Sequence, residues 1–161
     1  MKAAFFPGSF DPFTIGHKDV VIASLELFDK VIIGVGYNSA KKGLISTEGR
    51  MEIIGQSIAD LKANGANIEV VSYTGLTIDA CRRANAKFII RGVRTTADFE
   101  MESVIAQANK RLAPDISTVF MNASNENSFV SSTIVRDIVL NGGDAKEFLS
   151  PGVDIYKHLN K

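Results

Sequence analysis

Ala3-Ala4-Phe5-Phe6 runs into Pro7-Gly8-Ser9-Phe10-Asp11-Pro12-Phe13-Thr14-Ile15-Gly16-His17, after which Val20, Val21, Ser24, Leu25 and Phe28 recur at helical spacing. A short continuous apolar run suits a strand buried on both faces, and apolar residues every three or four positions suit a helix packed on one side. The first 28 residues therefore predict one strand-loop-helix unit. Working outward, further short apolar runs occur at residues 31–35, 68–73, 88–90 and 118–121. Between and after them lie helical patterns: Met51, Ile54, Ile58 and Leu61; a weaker one over 78–84; Met101, Val104, Ile105, Ala108 and Leu112; and Ile134, Val135, Ile138 and Val139. Strict strand-helix alternation predicts an α/β fold, a Rossmann-like doubly wound five-stranded parallel sheet with helices on both faces. A short helical tail around 145–148 and 153–159, broken at Ser150-Pro151-Gly152, is expected to pack on the sheet edge or on another subunit.

The chain has 161 residues, 45% hydrophobic and 22% charged, which predicts one domain with a substantial core. Eighteen basic residues balance 18 acidic ones, so no overall basic field invites nucleic acid or an anionic membrane. Any anionic ligand must be held locally. The single cysteine, Cys81, cannot pair within the chain and has no metal-ligand spacing, which fits a reducing, cytoplasmic setting. No apolar run approaches the ~20 residues that span a bilayer, and Pro7-Gly8 cuts the opening residues off before a signal-peptide core could form.

In parallel α/β sheets ligands bind beyond the carboxyl ends of the strands, where strand order reverses. The loop after the first strand lacks G-x-G-x-x-G, which argues against NAD or FAD. Thr14 is a suitable N-cap, and His17 then falls in the first helical turn, where an imidazole beside free amides can donate to a phosphate; a plain helix-start residue is the alternative. After the fourth strand, Arg91 and Arg94 flank Gly92-Val93 and suit bidentate phosphate contacts, the alternative being ion pairs with Asp98, Glu100 or Glu102. Asn127-Ser128-Phe129-Val130-Ser131-Ser132-Thr133 opens the last full helix with hydroxyls and amides that can cradle an anion or simply cap. Lys41-Lys42, after the second strand, reads alone as a solvated face. Strands one and four flank the predicted reversal point, so these loops should converge on one cleft for a phosphate-rich ligand.

Thr14-Ile15-Gly16-His17 resembles the T/H-x-G-H signature of the nucleotidyltransferase α/β superfamily. Within it, Pro7 to Pro12, Ser39-Ala40-Lys41-Lys42, Ile90-Arg91-Gly92-Val93-Arg94 with Asp98-Phe99-Glu100, and Phe129 to Thr133 resemble the bacterial phosphopantetheine adenylyltransferases in order and spacing. The resemblance covers essentially the whole chain as one domain, 1–161. It implies transfer of AMP from ATP to 4′-phosphopantetheine, giving dephospho-coenzyme A and pyrophosphate. It also implies magnesium, carried on the ATP phosphates because no suitable acidic cluster is evident, and a homohexamer. By the same resemblance His17 stabilises the transition state, with Lys41 and Arg91 as further catalytic positions. Ser9, Lys41, Thr77 and Arg91 match acceptor-binding positions. Ser9, Phe10, His17, Gly92, Val93, Arg94, Glu102, Asn127, Ser128, Phe129, Val130, Ser131, Ser132 and Thr133 match the ATP site. Three residues depart from the pattern: Ser9 where threonine is common, Asn127 where an aromatic is often found, and Gly49 within a usual Glu-Glu-Arg. The competing readings are a nicotinate mononucleotide adenylyltransferase and a regulatory domain that holds ATP without turnover.

Overall fold

Alternate residues of a strand face opposite sides of its sheet, and two separate cores follow from that. Ala4, Phe6, Val31, Ile33, Val35 and Ile90 belong to one buried cluster, whereas Phe5, Ile32 and Ile89 belong to the other. The computed structural model describes residues 1–160. Its strands are β1 (Ala3–Gly8), β2 (Lys30–Gly36), β3 (Ile68–Tyr73), β4 (Phe88–Val93) and β5 (Ser117–Asn122). All pair in parallel, in the order β3-β2-β1-β4-β5. The order reverses between β1 and β4, as the sequence predicts.

Helices cover both faces. Val20 and Val21 of α1 (Ile15–Leu25), Ile53 and Ile54 of α2 (Thr47–Ser57) and Val135 of α6 (Ser132–Leu140) complete the first core. Ile78, Ala80 and Cys81 of α4 (Thr77–Arg83) complete the second, on the side that also carries α5 (Thr96–Leu112). Phe5 fills the space over Gly34, where any β-carbon would collide with its ring. Among the described residues no helix is long and apolar enough to cross a membrane.

The spacing of Met51, Ile54, Ile58 and Leu61 predicts a single helix, but the structure divides it at Ile58 (φ −104°, ψ 4°) into α2 and α3 (Ala59–Ala63). The buried Ser57 hydroxyl donates to the Ile53 carbonyl at 2.7 Å, a back-bond that bends helices. The tail forms two 3-10 turns, Lys146–Phe148 and Ile155–His158. It packs against α2 and the loop before it, with Ile155 fully buried and Leu159 bridging antiparallel to Ile45.

Candidate active site

The loop after β1 enters α1 through a capping box in which histidine takes the place usually held by Glu or Gln. Thr14 Oγ1 accepts the His17 N–H at 3.4 Å, and His17 Nδ1 accepts the Thr14 N–H at 2.9 Å. That second bond fixes the tautomer. With Nδ1 occupied as an acceptor, the neutral ring carries its proton on Nε2. Burial, then the charges of Arg94 and Arg91, push the His17 pKa from its ordinary 6.5 down to about 3. The imidazole is therefore a neutral donor at pH 7. Phe10 packs edge-on against it with ring centroids 5.0 Å apart. Phe10 itself adopts φ +49°, a conformation uncommon for a large side chain, and is held there by Phe6, Phe13 and His17.

His17 lines a cleft of about 390 Å³ together with Ser9, Arg91, Arg94 and the start of α6. A second cleft of about 340 Å³ lies across β1 and β4 and reaches Tyr73, Thr77 and Ile105. Pro7, Gly8, Ser9, Arg91 and Glu102 line both. Two ligands could therefore meet at that common wall.

Both arginines of β4 and its following loop are paired with acids in this structure. Arg91 makes a two-pronged contact with Glu102, at 2.8 and 2.7 Å, and its Nη1 donates to the Pro7 carbonyl at 2.7 Å. Three of a guanidinium's five N–H groups are thereby engaged, leaving one on Nη1 and one on Nη2 for a ligand. Arg94 Nε donates to Asp98 at 3.2 Å, and its Nη1 reaches the Val130 carbonyl at 3.2 Å, joining the loops after β4 and β5. Gly92 lies at the cleft floor, where a β-carbon would come within 2.9 Å of Val20.

At the start of α6 the Ser131 hydroxyl caps the helix by accepting the Ile134 N–H at 3.2 Å, and Ser132 Oγ donates to the Pro12 carbonyl at 2.7 Å. The hydroxyls are thus committed to structure. The N–H groups of Ser132 and Thr133, first in the helix, have no intrahelical acceptor and stand in the cleft lining. Asn127 Nδ2 and Ser124 Oγ both donate to Asp19 of α1 at 2.7 Å, tying this loop down from the other side.

Of the residues singled out in the sequence, Ser9, Phe10, His17, Arg91, Gly92, Arg94, Glu102, Asn127, Val130, Ser131, Ser132 and Thr133 line the first cleft, and Thr77 the second. Val93 is buried beside it. Ser128 is half-buried and Phe129 exposed, the Phe129 ring leaning on Phe148. Lys41 is exposed in the loop after β2 and lines neither cleft.

Sequence reasoning missed Arg136, which lines the first cleft while donating to the Asp11 carbonyl at 2.9 Å and to Thr133 Oγ1 at 3.1 Å. Its spacing offered a signal, four residues after Ser132 and so on the same face of the helix. Asp11 and Arg50 were missed as well. The buried Asp11 carboxylate accepts the N–H groups of Leu44 and Ile45, and the buried Arg50 donates to the Ser9 carbonyl at 2.7 Å.

A cytidylyltransferase-like family pattern matches residues 5–138. Two phosphopantetheine adenylyltransferases, from Flavobacterium psychrophilum and Flavobacterium johnsoniae, are 47% and 41% identical to this chain. The alignments cover 89% and 98% of it, and 92% and 100% of those relatives. The chain belongs to the phosphopantetheine adenylyltransferase family. Among solved structures, a Vibrio parahaemolyticus protein described as a nicotinate-nucleotide adenylyltransferase superposes with a TM-score of 0.67 at 21% identity, covering 94% of this chain and 95% of its own. At that identity the likeness speaks for the fold alone. The T-x-G-H of this family member is thus a neutral-histidine capping box at the floor of its cleft.

The depressed pKa of His17 has a consequence for stability. Between pH 6.5 and about 3 the unfolded chain takes up a proton that the folded chain refuses, so stability falls as pH is lowered through that window. Urea titrations from pH 7 to pH 4 are expected to show this decline, up to about 1 kcal/mol per pH unit. His17→Gln should flatten it; an identical slope in that variant would reassign the decline to other groups.

Proposed function

We propose that this chain transfers the adenylyl group of ATP to 4′-phosphopantetheine, forming dephospho-coenzyme A and pyrophosphate. The observation that carries this reading is the pair of clefts meeting at Ser9 and Arg91, in a chain 47% identical to a phosphopantetheine adenylyltransferase. The triphosphate occupies the first cleft and the pantetheine arm the second. An acceptor phosphate oxygen then attacks the α-phosphorus, and the bond from that phosphorus to the oxygen bridging the β-phosphate breaks.

The acceptor phosphate is already an anion at pH 7, so no general base is needed. What remains is alignment and stabilisation of developing charge. His17 Nε2–H supplies a fixed neutral donor for the α-phosphate, and Arg91 offers its two remaining N–H groups to the acceptor phosphate. Arg94, Arg136 and the amides of Ser132 and Thr133 surround the β- and γ-phosphates. Lys41 joins the acceptor side from its exposed loop.

Among the described residues no three His, Cys, Asp or Glu side chains converge, and Asp98 and Glu102 are held by Arg94 and Arg91. The side chains present do not form a resident metal site, and magnesium enters as part of the substrate, on the nucleotide phosphates. The unpaired, buried Cys81, its thiol pushed up to about 11 chiefly by burial, supports a cytoplasmic setting. Assembly into a homohexamer is supported by α5. No residue of this 17-residue helix is fully buried within the chain, and it exposes Phe99, Met101, Val104, Ile105 and Leu112. Light scattering is expected to give the mass of six chains, and a monomer would sink this part of the reading.

Purified protein given ATP, magnesium and 4′-phosphopantetheine should release pyrophosphate. The same mixture with nicotinate mononucleotide should not, and the reverse result would transfer the chain to that reaction. His17→Ala should fold and lose about 10²–10³ in kcat, the cost of one charge-stabilising donor.

The α6 cradle yields a separate outcome. Ser131 is already extended (φ −141°, ψ 157°), the conformation a following proline demands, and proline is favoured at the first position of a helix. Ser132→Pro should therefore fold while deleting one amide donor. Calorimetric titration is expected to show it losing more ATP affinity than Ser132→Ala, which keeps the N–H; equal losses would make the hydroxyl the ligand.

A further inference from the structure

Arg50 is the fourth residue of α2 and is only 7% exposed. Its Nη1 donates to the Ser9 carbonyl at 2.7 Å and its Nη2 to Thr47 Oγ1 at 3.1 Å, while its buried Nε has no partner. Among the described residues no carboxylate pairs with it. A buried guanidinium without a counter-ion is costly, and the start of a helix is the unfavourable end for a cation. On stability alone an apolar side chain of similar length would suit this position better. What the guanidinium does contribute is a charge-assisted bond to one carbonyl of the loop after β1.

That carbonyl belongs to the Ser9–Phe10 peptide. Ser9 lines both clefts and Phe10 the first, whereas Arg50 lines neither, so the bond draws the oxygen away from the clefts toward α2. In a trans peptide the C=O and the N–H point to opposite sides. The Phe10 N–H is thereby turned the other way, toward the first cleft, and it has no acceptor among the described residues. This orientation is strained. It sets Phe10 at φ +49°, with the ring folded back over Gly8, where a β-carbon would come within 2.9 Å of it. Reversing the peptide would return Phe10 to negative φ, but it would aim the Ser9 oxygen at the phosphates and turn the N–H from them.

We propose that Arg50 is a positioning residue for the transfer step: its bond to the Ser9 carbonyl blocks reversal of the Ser9–Phe10 peptide and keeps the Phe10 N–H presented beside the His17 ring. This rests on the reading of the first cleft as the phosphate site. Arg50 touches neither substrate. Phe6, Phe13 and His17 hold the Phe10 ring, but a peptide can still turn between two fixed Cα atoms, and the guanidinium removes that remaining freedom. A turned peptide disturbs the wall where the two ligands meet, and so the alignment of the reacting oxygens, more than the outer parts of either ligand.

The test is steady-state kinetics by pyrophosphate release on Arg50→Met and Arg50→Lys, with thermal unfolding and the backbone NMR shifts of Phe10. Methionine keeps an unbranched side chain without charge or donor, and lysine keeps a charged donor for the Ser9 carbonyl. Arg50→Met should melt at or above the wild-type temperature, because a buried unpaired charge is gone. It should nevertheless lose about 10- to 100-fold in kcat. KM for ATP and for 4′-phosphopantetheine should stay within about threefold. Arg50→Lys should keep kcat within about threefold of wild type, since one carbonyl needs only a point charge and not a fork. The Phe10 shifts should leave the left-handed range in the methionine variant and remain in it in the lysine variant.

An unchanged kcat in Arg50→Met, a loss carried by either KM, a fall in stability that accompanies the lost activity, or a lysine variant as slow as the methionine one would each overturn the proposal. Failure of the adenylyl-transfer reading is seen separately, as wild-type protein that releases no pyrophosphate with 4′-phosphopantetheine. The Phe10 shifts then decide the role of Arg50 by themselves, and a left-handed Phe10 retained in Arg50→Met overturns it.

Discussion

Asp11, through its carboxylate and its backbone carbonyl together, is where three separate segments of chain meet, and the geometry of the cleft depends on it. Its side chain accepts two amides of the loop before α2, and its carbonyl accepts Arg136 of α6. A carboxylate 7% exposed is costly to bury, and short bonds from backbone N–H groups are what offset that cost. Beside it, Phe10 stands in the left-handed conformation. Strain of that kind, of order 1–3 kcal/mol, persists only where surrounding packing over-determines it. Here the ring is 2% exposed among Phe6, Phe13 and His17. The loop therefore reaches α1 with Ser9 and His17 already placed, before any ligand arrives.

The same economy governs charge. Three guanidinium groups line the first cleft, yet two are matched by Glu102 and Asp98, and the imidazole among them is neutral. A bare cluster of cations would attract polyphosphate more strongly at long range, but long side chains without partners would have to be ordered at the moment of binding. The two-pronged Glu102 contact removes that cost for Arg91 in advance. It leaves two N–H groups in a fixed plane, which is worth more to a transition state than additional unaligned charge. Neutral His17 follows the same logic. A charged imidazole between Arg91 and Arg94 would raise the repulsion it is meant to relieve.

The sheet was legible in the sequence because buried parallel strands leave continuous apolar runs, and all five lie where such runs stand. Their ends were not legible. Gly8, Gly36 and Val93 extend the strands through hydrogen bonds to neighbours, which side-chain pattern does not encode. The break at Ile58 escaped for a related reason, since Ser57 acts on the backbone while the apolar spacing runs on. At the site, loops after β1, β4 and β5 could be read from their residue types. The partners that fix them could not, because Asp11, Asp19, Arg50 and Arg136 act across 33 or more residues of sequence. Whether an arginine binds a ligand or an acid is likewise undecidable from spacing when both are four to eleven residues apart, and here both β4 arginines found the acid.

The three departures from the family pattern share a physical character. Ser9 retains a hydroxyl on the wall common to both clefts. Asn127 gives up ring area and makes a 2.7 Å bond to Asp19, so the loop after β5 is secured to α1 by a directional contact. Gly49 gives up a carboxylate and gains the C-terminal tail, with His158 over its Cα and Glu52 3.6 Å from the His158 ring. The latter two changes lie at seams where one segment rests on another. None of the three removes a donor aimed into the phosphate cleft. A seam can be rebuilt in several ways, because many contacts supply a few tenths to one kcal/mol of local order. A donor aimed at developing charge has few substitutes, since its value depends on placement to within about half an ångström.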